Sequence, residues 1–168
     1  MTTLELDPAI EITSRTIASP LGELTLLASE RALVGVYFEG HRPAPRTKAT
    51  RSGASEVLDE VERELGAYFA DPSRSFSAEL LAQGTELERA VWSELARIPV
   101  GTTRTYGEIA RALGRPTAAR AVGSAVGRNP LSIVVPCHRV VGKDGSLTGF
   151  AGGVERKAWL LAHEGAQR

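Results

Sequence analysis

The sequence predicts an α+β fold in two parts, a small α/β unit followed by a helical unit. Three short apolar runs separated by turn residues predict an antiparallel meander, and an amphipathic stretch predicts a helix after them. Two capping-box patterns predict helices in the second half. The 168 residues suffice for one domain or two small ones with a core. We place the boundary between residues 1–84 and residues 85–168.

The first half has the pattern of a scaffold. Residues 54–70 place apolar side chains on one helical stripe, which includes Leu58, Leu65 and Tyr68. Residues 40–53 contain two Pro and four Lys or Arg with no acid, and predict an exposed loop. No pattern of catalytic residue types is visible in this half. The predicted strands are 15–18, 23–28, 33–38 and 76–81.

The second half predicts three helices in close succession. Thr85 and Thr105 are each followed by Glu three residues later, the capping-box spacing that opens a helix. Gly114 is the expected residue just beyond the second helix, and Thr117 is a candidate cap for a third helix over 118–126. The second and third helices form a helix-turn-helix candidate, although many helical hairpins share this pattern.

The predicted third helix consists almost entirely of small residues. They allow its backbone to approach another surface closely, either a neighbouring helix or a DNA groove. Major-groove recognition helices usually carry several long polar side chains. A helix whose one long side chain is Arg120 fits shape-driven contact with the minor groove better. Its small residues include Ala118, Ala119, Ala121 and Gly123.

The net charge of zero conceals an asymmetry. Residues 1–84 carry 8 Lys and Arg against 13 Asp and Glu, whereas residues 85–168 carry 12 against 7. Within 97–139, seven Arg accompany one acid, Glu108. This basic block indicates either a polyanionic partner, most simply nucleic acid, or a solvated arginine-rich face.

Cys137 is the only cysteine, and it follows an apolar run over 131–135 that predicts a strand ending at Pro136. By itself such a cysteine is either an inert buried residue or, with His138 beside it, an activated thiolate. A single cysteine excludes an internal disulfide, and no Cys/His spacing predicts a metal site. We expect no cofactor. The free thiol and the absence of a signal-peptide pattern or long apolar run predict a cytoplasmic protein.

Three further features follow the cysteine. Residues 140–147 predict a hairpin around an Asp-Gly turn. The glycine-rich segment 148–153 is either a linker or a loop whose N–H groups closely approach a flat ligand. The last predicted helix spans 154–163.

These motifs together resemble the O6-alkylguanine-DNA alkyltransferases. The resemblance covers about residues 85–165, whereas the first half resembles the family's ribonuclease-H-like domain only in outline. It implies repair of DNA by direct reversal, with the protein bound in the minor groove and the damaged guanine flipped out. The alkyl group would move from O6 of guanine to the protein's own cysteine, once per molecule. O4-alkylthymine is a second candidate substrate. The matching segments are 105–110, 118–123, 129–130, 136–140, 149–153 and 160–165.

The resemblance also implies a role for each matching residue. His138 would deprotonate Cys137 through a water molecule, and Glu164 would orient His138. Tyr106 would help flip the nucleotide and donate to guanine N3. Arg120 would fill the gap left in the base stack, with the small residues of its helix against the DNA.

The remaining implied roles concern the pocket for the base. Asn129 would brace the turn between the recognition helix and the active-site strand. The carbonyls of Cys137 and Val140 would accept the guanine amino group, and the Ala151 N–H would donate to O6. Phe150 stands where many relatives have Tyr, so it brings no hydroxyl to the base.

The expected partner is double-stranded DNA that contains O6-alkylguanine. We expect the protein to bind it as a monomer, and the sequence leaves open whether several molecules bind cooperatively along DNA. When bound, the protein would be associated with the nucleoid. Two other function classes stay open. One is a non-catalytic DNA damage sensor or regulator that uses the same helix-turn-helix, and the other is a Cys-His hydrolase.

Overall fold

The computed structural model describes residues 6–166. Its first half is built on a four-stranded sheet with the order β3-β2-β1-β4. The predicted meander is confirmed, because β1 and β2 pair antiparallel, as do β2 and β3. The first two strands differ by one or two residues from their predicted bounds. The strands are β1 Thr13–Ile17, β2 Leu24–Ala28, β3 Leu33–Phe38 and β4 Arg51–Ser52.

Two predictions for this half are corrected. The segment 40–53 is not a loop throughout, since β4 pairs in parallel with β1, and the Arg51 amide donates to the Ile12 carbonyl. The predicted strand 76–81 is reduced to one isolated bridge, between Leu80 and Leu33. The segment pairs in parallel only with Leu33, the first residue of β3, and so gains too few ladder hydrogen bonds to form a strand.

Helix α1, Glu56–Ala70, covers one face of the sheet, as its apolar stripe predicted. The Ser55 side chain caps it by accepting from the Leu58 amide. Leu58, Leu65 and Tyr68 are buried against the sheet and the second half. A smaller cluster of buried residues, distinct from the main core, contains Ile12, Leu27, Ala32, Val34, Tyr37 and Leu81.

The helices of the second half follow the predicted order. Both capping boxes are present, at Thr85 and Thr105, and Gly114 follows the second of these helices with a φ of 68°. Thr117 is not a cap: the third helix begins later, its N-cap is Ala118, and no side chain caps it. The helices are α2 Glu86–Leu95, α3 Tyr106–Ala112, α4 Ala119–Gly127 and α5 Val154–His163.

The segment that leads to Cys137 is not a strand. Residues 131–135 form turns, with one bridge from Leu131 to Val36 and a positive φ of 71° at Ile133. Side-chain hydrogen bonds from Asn129 to both ends of the segment hold it folded on itself. It passes into a 3₁₀ turn over Cys137–Arg139.

The hairpin predicted over 140–147 is only half present. The turn forms, because the Gly142 amide donates to the Ser146 carbonyl at 2.9 Å. The strand before it, β6 (Val140–Val141), pairs in parallel with β5 (Arg104–Thr105) instead of with a returning strand. The pairing with β5 places the end of β6 beside the start of α3, because Thr105 pairs with Val141 and is the N-cap of α3.

One main core joins the two halves. It contains Leu24 of β2, Trp92 of α2 and Leu160 of α5, and Cys137 belongs to it. The Trp92 indole N–H donates to the Ala125 carbonyl at 2.8 Å and ties α2 to α4. The boundary at 84/85 stays a prediction. Within residues 6–166, no helix is long and apolar enough to cross a membrane.

Candidate active site

Cys137 lies in the 3₁₀ turn and is only 3% exposed. Burial raises the pKa of its thiol, and the Asn129 amide and the Lys157 charge oppose that rise without cancelling it. The resting thiol is therefore protonated at neutral pH. A reaction at this sulfur needs a base that removes the proton.

The adjacent His138 is fully buried and has one ring nitrogen in use. Its Nε2 lies 2.7 Å from Glu164 Oε1, and its Nδ1 has no hydrogen-bond partner among residues 6–166. Burial lowers the pKa of His138 although Glu164 opposes this, so the ring is neutral at pH 7. Because the carboxylate only accepts, Nε2 carries the proton and the Nδ1 lone pair is available as a base.

Glu164 stays ionised in this buried position because both of its oxygens accept hydrogen bonds from neighbouring donors. Arg139 donates from Nε to Oε2 at 2.9 Å and from Nη2 to Oε1 at 2.8 Å, and the Tyr68 hydroxyl donates to Oε1 at 2.8 Å. Burial by itself would raise the pKa of Glu164, but the hydrogen bonds from His138 and Arg139 lower it to about 2. The carboxylate therefore fixes the His138 tautomer at every physiological pH.

The second half also supplies a buried cation that the sequence interpretation missed. Lys157 is 1% exposed, and its Nζ donates to the Thr148 carbonyl at 3.0 Å. Burial lowers its pKa to about 8, with the nearby Cys137 acting against that change. The sequence signal that could have identified Lys157 is its spacing, since residues 157, 160, 161 and 164 lie on one stripe of α5. A Lys and a Glu on an otherwise apolar stripe indicate buried charges that need partners.

Asn129 closes the turn before the cysteine. Its Nδ2 donates to the Val135 carbonyl at 2.8 Å, and its Oδ1 accepts from the Leu131 amide at 3.0 Å. The side chain is 2% exposed, so both bonds are shielded from water. This connection couples the end of α4 to the position of Cys137.

Tyr106 is the first residue of α3, and its ring lies between two glycines. A Cβ at Gly123 would lie 3.6 Å from Tyr106 Cδ1, and a Cβ at Gly149 would lie 3.7 Å from the hydroxyl oxygen. The Tyr106 hydroxyl donates to the Thr148 carbonyl at 3.0 Å. The ring therefore borders both α4 and the glycine-rich loop.

The outer face of α4 is exposed and carries few long side chains. Ala119, Ala121 and Arg120 are exposed, and Ala118 is half-buried. A groove of about 670 Å³ runs beside this face, and its lining contains three cationic side chains and no acid. Such a groove suits a polyanion. Its lining residues include Tyr106, Arg111, Arg120, Lys143 and Gly149.

The glycine-rich loop faces a second groove of about 440 Å³ between it and α4. Phe150 and Ala151 line this groove together with Arg42 of the first half, whose amide donates to the Ala151 carbonyl at 3.3 Å. The Phe150 ring also contacts Phe38 of β3, with 5.7 Å between centroids. The N-terminal sheet therefore supports the loop from behind.

The predicted site residues fall into two groups. Cys137, His138 and Glu164 meet in the interior, where Asn129 and Val140 are also buried. The Cys137 carbonyl already accepts the Val140 amide, which leaves it one further lone pair. The other predicted residues line the two grooves or the outer face of α4, and they are Tyr106, Ala118, Ala119, Arg120, Ala121, Gly123, Phe150 and Ala151.

Both halves of the chain match models of one protein family. Residues 12–82 match the ribonuclease-like domain of 6-O-methylguanine DNA methyltransferase, and residues 86–166 match its DNA binding domain. A methylated-DNA--protein-cysteine methyltransferase of Methanosarcina acetivorans is 45% identical over 148 residues, which cover 88% of this chain and 95% of that protein. Its counterpart in Mycolicibacterium paratuberculosis is 47% identical over 150 residues, which cover 89% and 90%.

A solved structure supports the same assignment at the level of the fold. The crystal structure of Mycobacterium tuberculosis OGT in complex with DNA superposes with a TM-score of 0.84 at 42% sequence identity. The superposition covers 91% of this chain and 92% of that chain. The mixed α+β architecture with an N-terminal sheet and C-terminal helices is therefore shared.

Proposed function

This chain belongs to the 6-O-methylguanine DNA methyltransferase family, and we propose that it repairs duplex DNA by moving an alkyl group from O6 of guanine to Cys137. Its class is methylated-DNA--protein-cysteine methyltransferase, an enzyme that acts on DNA. The observation that carries the proposed mechanism is the free Nδ1 of His138, a neutral base fixed by Glu164 beside the only cysteine.

DNA binding is assigned to α3 and α4. The small residues of α4 let its backbone approach the minor groove closely, and the adjacent groove carries Arg111, Arg120 and Lys143 toward the phosphates. O6 of guanine cannot be reached inside the stack, so the damaged nucleotide must be flipped out. Arg120 is exposed on α4 and would fill the gap that the flipped base leaves. Tyr106, at the start of α3, would turn the nucleotide toward the interior.

The bound base is held by backbone groups and two side chains. The carbonyls of Cys137 and Val140 accept the guanine amino group, and the Ala151 amide donates to O6. Tyr106 donates a hydrogen bond to N3 as negative charge develops on the purine. Phe150 supplies an apolar surface without a hydroxyl. Since Cys137 is only 3% exposed, entry of the base requires groups around it to move, and we propose that the loop 149–153 is the segment that moves.

The transfer begins with removal of the thiol proton. That proton passes through a water molecule to His138 Nδ1, while the Lys157 charge stabilises the thiolate. Sγ then attacks the alkyl carbon, so an S–C bond forms and the C–O6 bond breaks. The electron pair of the broken bond goes to the purine, which takes a proton at N1 from water and becomes guanine, while His138 returns the thiol proton to water. Overall, the sulfur exchanges its proton for the alkyl group.

The product limits each molecule to one reaction. S-alkylcysteine is a thioether, which water does not readily cleave, and the residues around Cys137 include no group that would regenerate the thiol. We therefore propose that the protein is consumed stoichiometrically by its substrate.

The first experiment is an intact-mass measurement after incubation with duplex DNA that contains one O6-methylguanine. The expected result is one added methyl group that maps to Cys137 and saturates at one per protein. The Cys137→Ala variant is the control, and it should bind the same DNA without gaining mass. Methyl transfer to that variant at the wild-type rate would end the proposal.

The same experiment separates the other function classes. An unchanged mass with the lesion intact and DNA still bound would favour a non-catalytic damage sensor or regulator. An unchanged mass with the lesion consumed would mean turnover, as a Cys-His hydrolase requires.

A further inference from the structure

The N-terminal half reaches the active site through one side chain. Tyr68, on the last turn of α1, is 1% exposed, and its hydroxyl donates to Glu164 Oε1 at 2.8 Å. The two residues are 96 positions apart in sequence. A buried tyrosine hydroxyl needs a partner, but here the partner is the carboxylate that orients His138.

This hydroxyl shares its acceptor atom with the histidine. Glu164 Oε1 also receives His138 Nε2 at 2.7 Å and Arg139 Nη2 at 2.8 Å. A carboxylate oxygen has two lone pairs, so three donors compete for its electron density. The hydrogen bond that Tyr68 donates to this oxygen therefore reduces the negative charge that Glu164 presents to His138.

Tyr68 acts here only as a donor. Burial, followed by the charge of Glu164, raises the pKa of Tyr68 far above its ordinary value, so the hydroxyl keeps its proton. Arg139 would hold Glu164 in place without Tyr68, because its Nε bond to Oε2 and its Nη2 bond to Oε1 remain. Loss of the hydroxyl therefore changes the charge on Oε1 more than the position of Glu164.

We propose that Tyr68 is a positioning residue of the alkyl-transfer site, through which the N-terminal half sets how strongly Glu164 holds a proton on His138. This inference rests on the proposed function and adds a regulatory role for a half whose sequence showed no catalytic pattern. Without the hydroxyl, Glu164 would stabilise the imidazolium form of His138 more strongly. His138 would then act as a base only at higher pH.

Charged groups surround His138, and aromatic rings surround Tyr68. His138 faces Glu164, Arg139 and the charge of Lys157, besides the adjacent Cys137. On the other side, the Tyr68 ring packs against Phe69, Phe76 and the His163 ring. Since Tyr68→Phe keeps this ring packing and alters none of the other charged groups, its effect on His138 must pass through Glu164.

The test is the pH dependence of methyl transfer by Tyr68→Phe in a single turnover with saturating duplex DNA. The acid limb of the rate profile should move upward by about half a pH unit, because one donor to the carboxylate is lost. Titration of the ¹⁵N-labelled imidazoles, only three in this chain, should show the same upward shift for His138 in unreacted protein. Tyr37→Phe is the matched control, a buried tyrosine in the separate hydrophobic cluster, and should leave both titrations unchanged.

A second variant tests the opposite direction. Site-specific 3-fluorotyrosine at position 68 keeps the hydroxyl and makes it a stronger donor, so the acid limb should move downward. In a Glu164→Gln background, Tyr68→Phe should have little further effect, because its route to His138 is already removed.

An acid limb that stays in place or moves downward in Tyr68→Phe, with only a lower melting temperature, would overturn the inference. Wild-type protein that gains no methyl group would instead refute the proposed function, whatever Tyr68 does.

Discussion

Tyr106 and Lys157 donate to the same atom, the carbonyl oxygen of Thr148, each at 3.0 Å. The first residue borders the groove that we assign to DNA, and the second lies beside the buried thiol. Thr148 begins the glycine-rich segment 148–153, which we propose moves when a base enters. The shared carbonyl therefore links the outer groove, the loop and the sulfur.

Replacement of Lys157 by Met should slow alkyl transfer. The positive charge of Lys157 lowers the pKa of the Cys137 thiol, so its removal leaves less thiolate at neutral pH. The pKa of the thiol should therefore rise in the variant, and we expect a roughly tenfold lower single-turnover rate at neutral pH. The rate should be measured with duplex DNA that contains O6-methylguanine, and Lys48→Met, at an exposed position of the first half outside both grooves, is the control for simple loss of a cation.

The pH dependence should identify the cause of that loss. If Lys157 acts on the thiol, the rate of Lys157→Met should approach that of the wild type as the pH rises. An equal deficit at every pH would contradict an electrostatic role and favour a packing defect.

The same substitution should stabilise the folded protein. The pKa of Lys157 is lowered by burial from 10.5 to about 8, so the unfolded chain binds this proton more tightly than the folded one. Stability from this residue therefore rises with pH between about 8 and 10.5. Below that window the buried ammonium costs up to about 3 kcal/mol, which Met would remove.

Urea unfolding of Lys157→Met and its parent should be compared at pH 7 and pH 9.5, both in a Cys137→Ala background that removes the overlapping thiol titration. The stability difference should be largest at pH 7 and shrink at pH 9.5. A difference that does not change with pH would show that Lys157 is not the titrating group.

The local signals of the sequence were sufficient for the two helices with capping boxes but not for the cap of α4 or for the segment before the cysteine. Thr85 and Thr105 cap their helices through contacts within three residues, which a sequence pattern contains in full. The apolar run 131–135 is buried whether it forms a strand or turns, so its pattern does not distinguish the two. The deciding hydrogen bonds come from Asn129, a side chain outside the run.

The site was predictable only in part for a similar reason. The resemblance supplied Cys137, His138 and Glu164, and the structure joins the last two by a hydrogen bond next to the buried cysteine. Lys157 and Tyr68 were missed because both lie on helical stripes that otherwise predict core packing. The tertiary fold brings their partners, Thr148 and Glu164, into hydrogen-bond distance, and no spacing in the sequence predicts either contact.

Gly149→Ala should impair repair by disturbing the loop at Tyr106. Gly149 has a φ of 61°, which costs a residue with a side chain about 1 kcal/mol, and its Cβ would lie 3.7 Å from the Tyr106 hydroxyl. Gly145→Ala is the matched control, since Gly145 has a φ of 80° and open space around a Cβ. Both variants should lose similar stability in urea unfolding, whereas only Gly149→Ala should repair DNA more slowly. If the two variants repaired DNA at the same rate, the loop conformation at Gly149 would have no part in the reaction.

Arg120→Ala should weaken repair of duplex DNA far more than reaction with the free base O6-benzylguanine. Arg120 is exposed on α4, outside the interior cluster of Cys137, His138 and Glu164, so its removal leaves the chemistry of the thiol unchanged. A flipped base needs its gap in the stack filled, and loss of that contact should reduce the duplex rate by about tenfold or more. Arg115→Ala, another exposed arginine that lies in the turn before α4, controls for the general loss of positive charge. If Arg120→Ala lowered both reactions equally, Arg120 would act on the reacting groups or on folding, and its assignment to the base stack would be wrong.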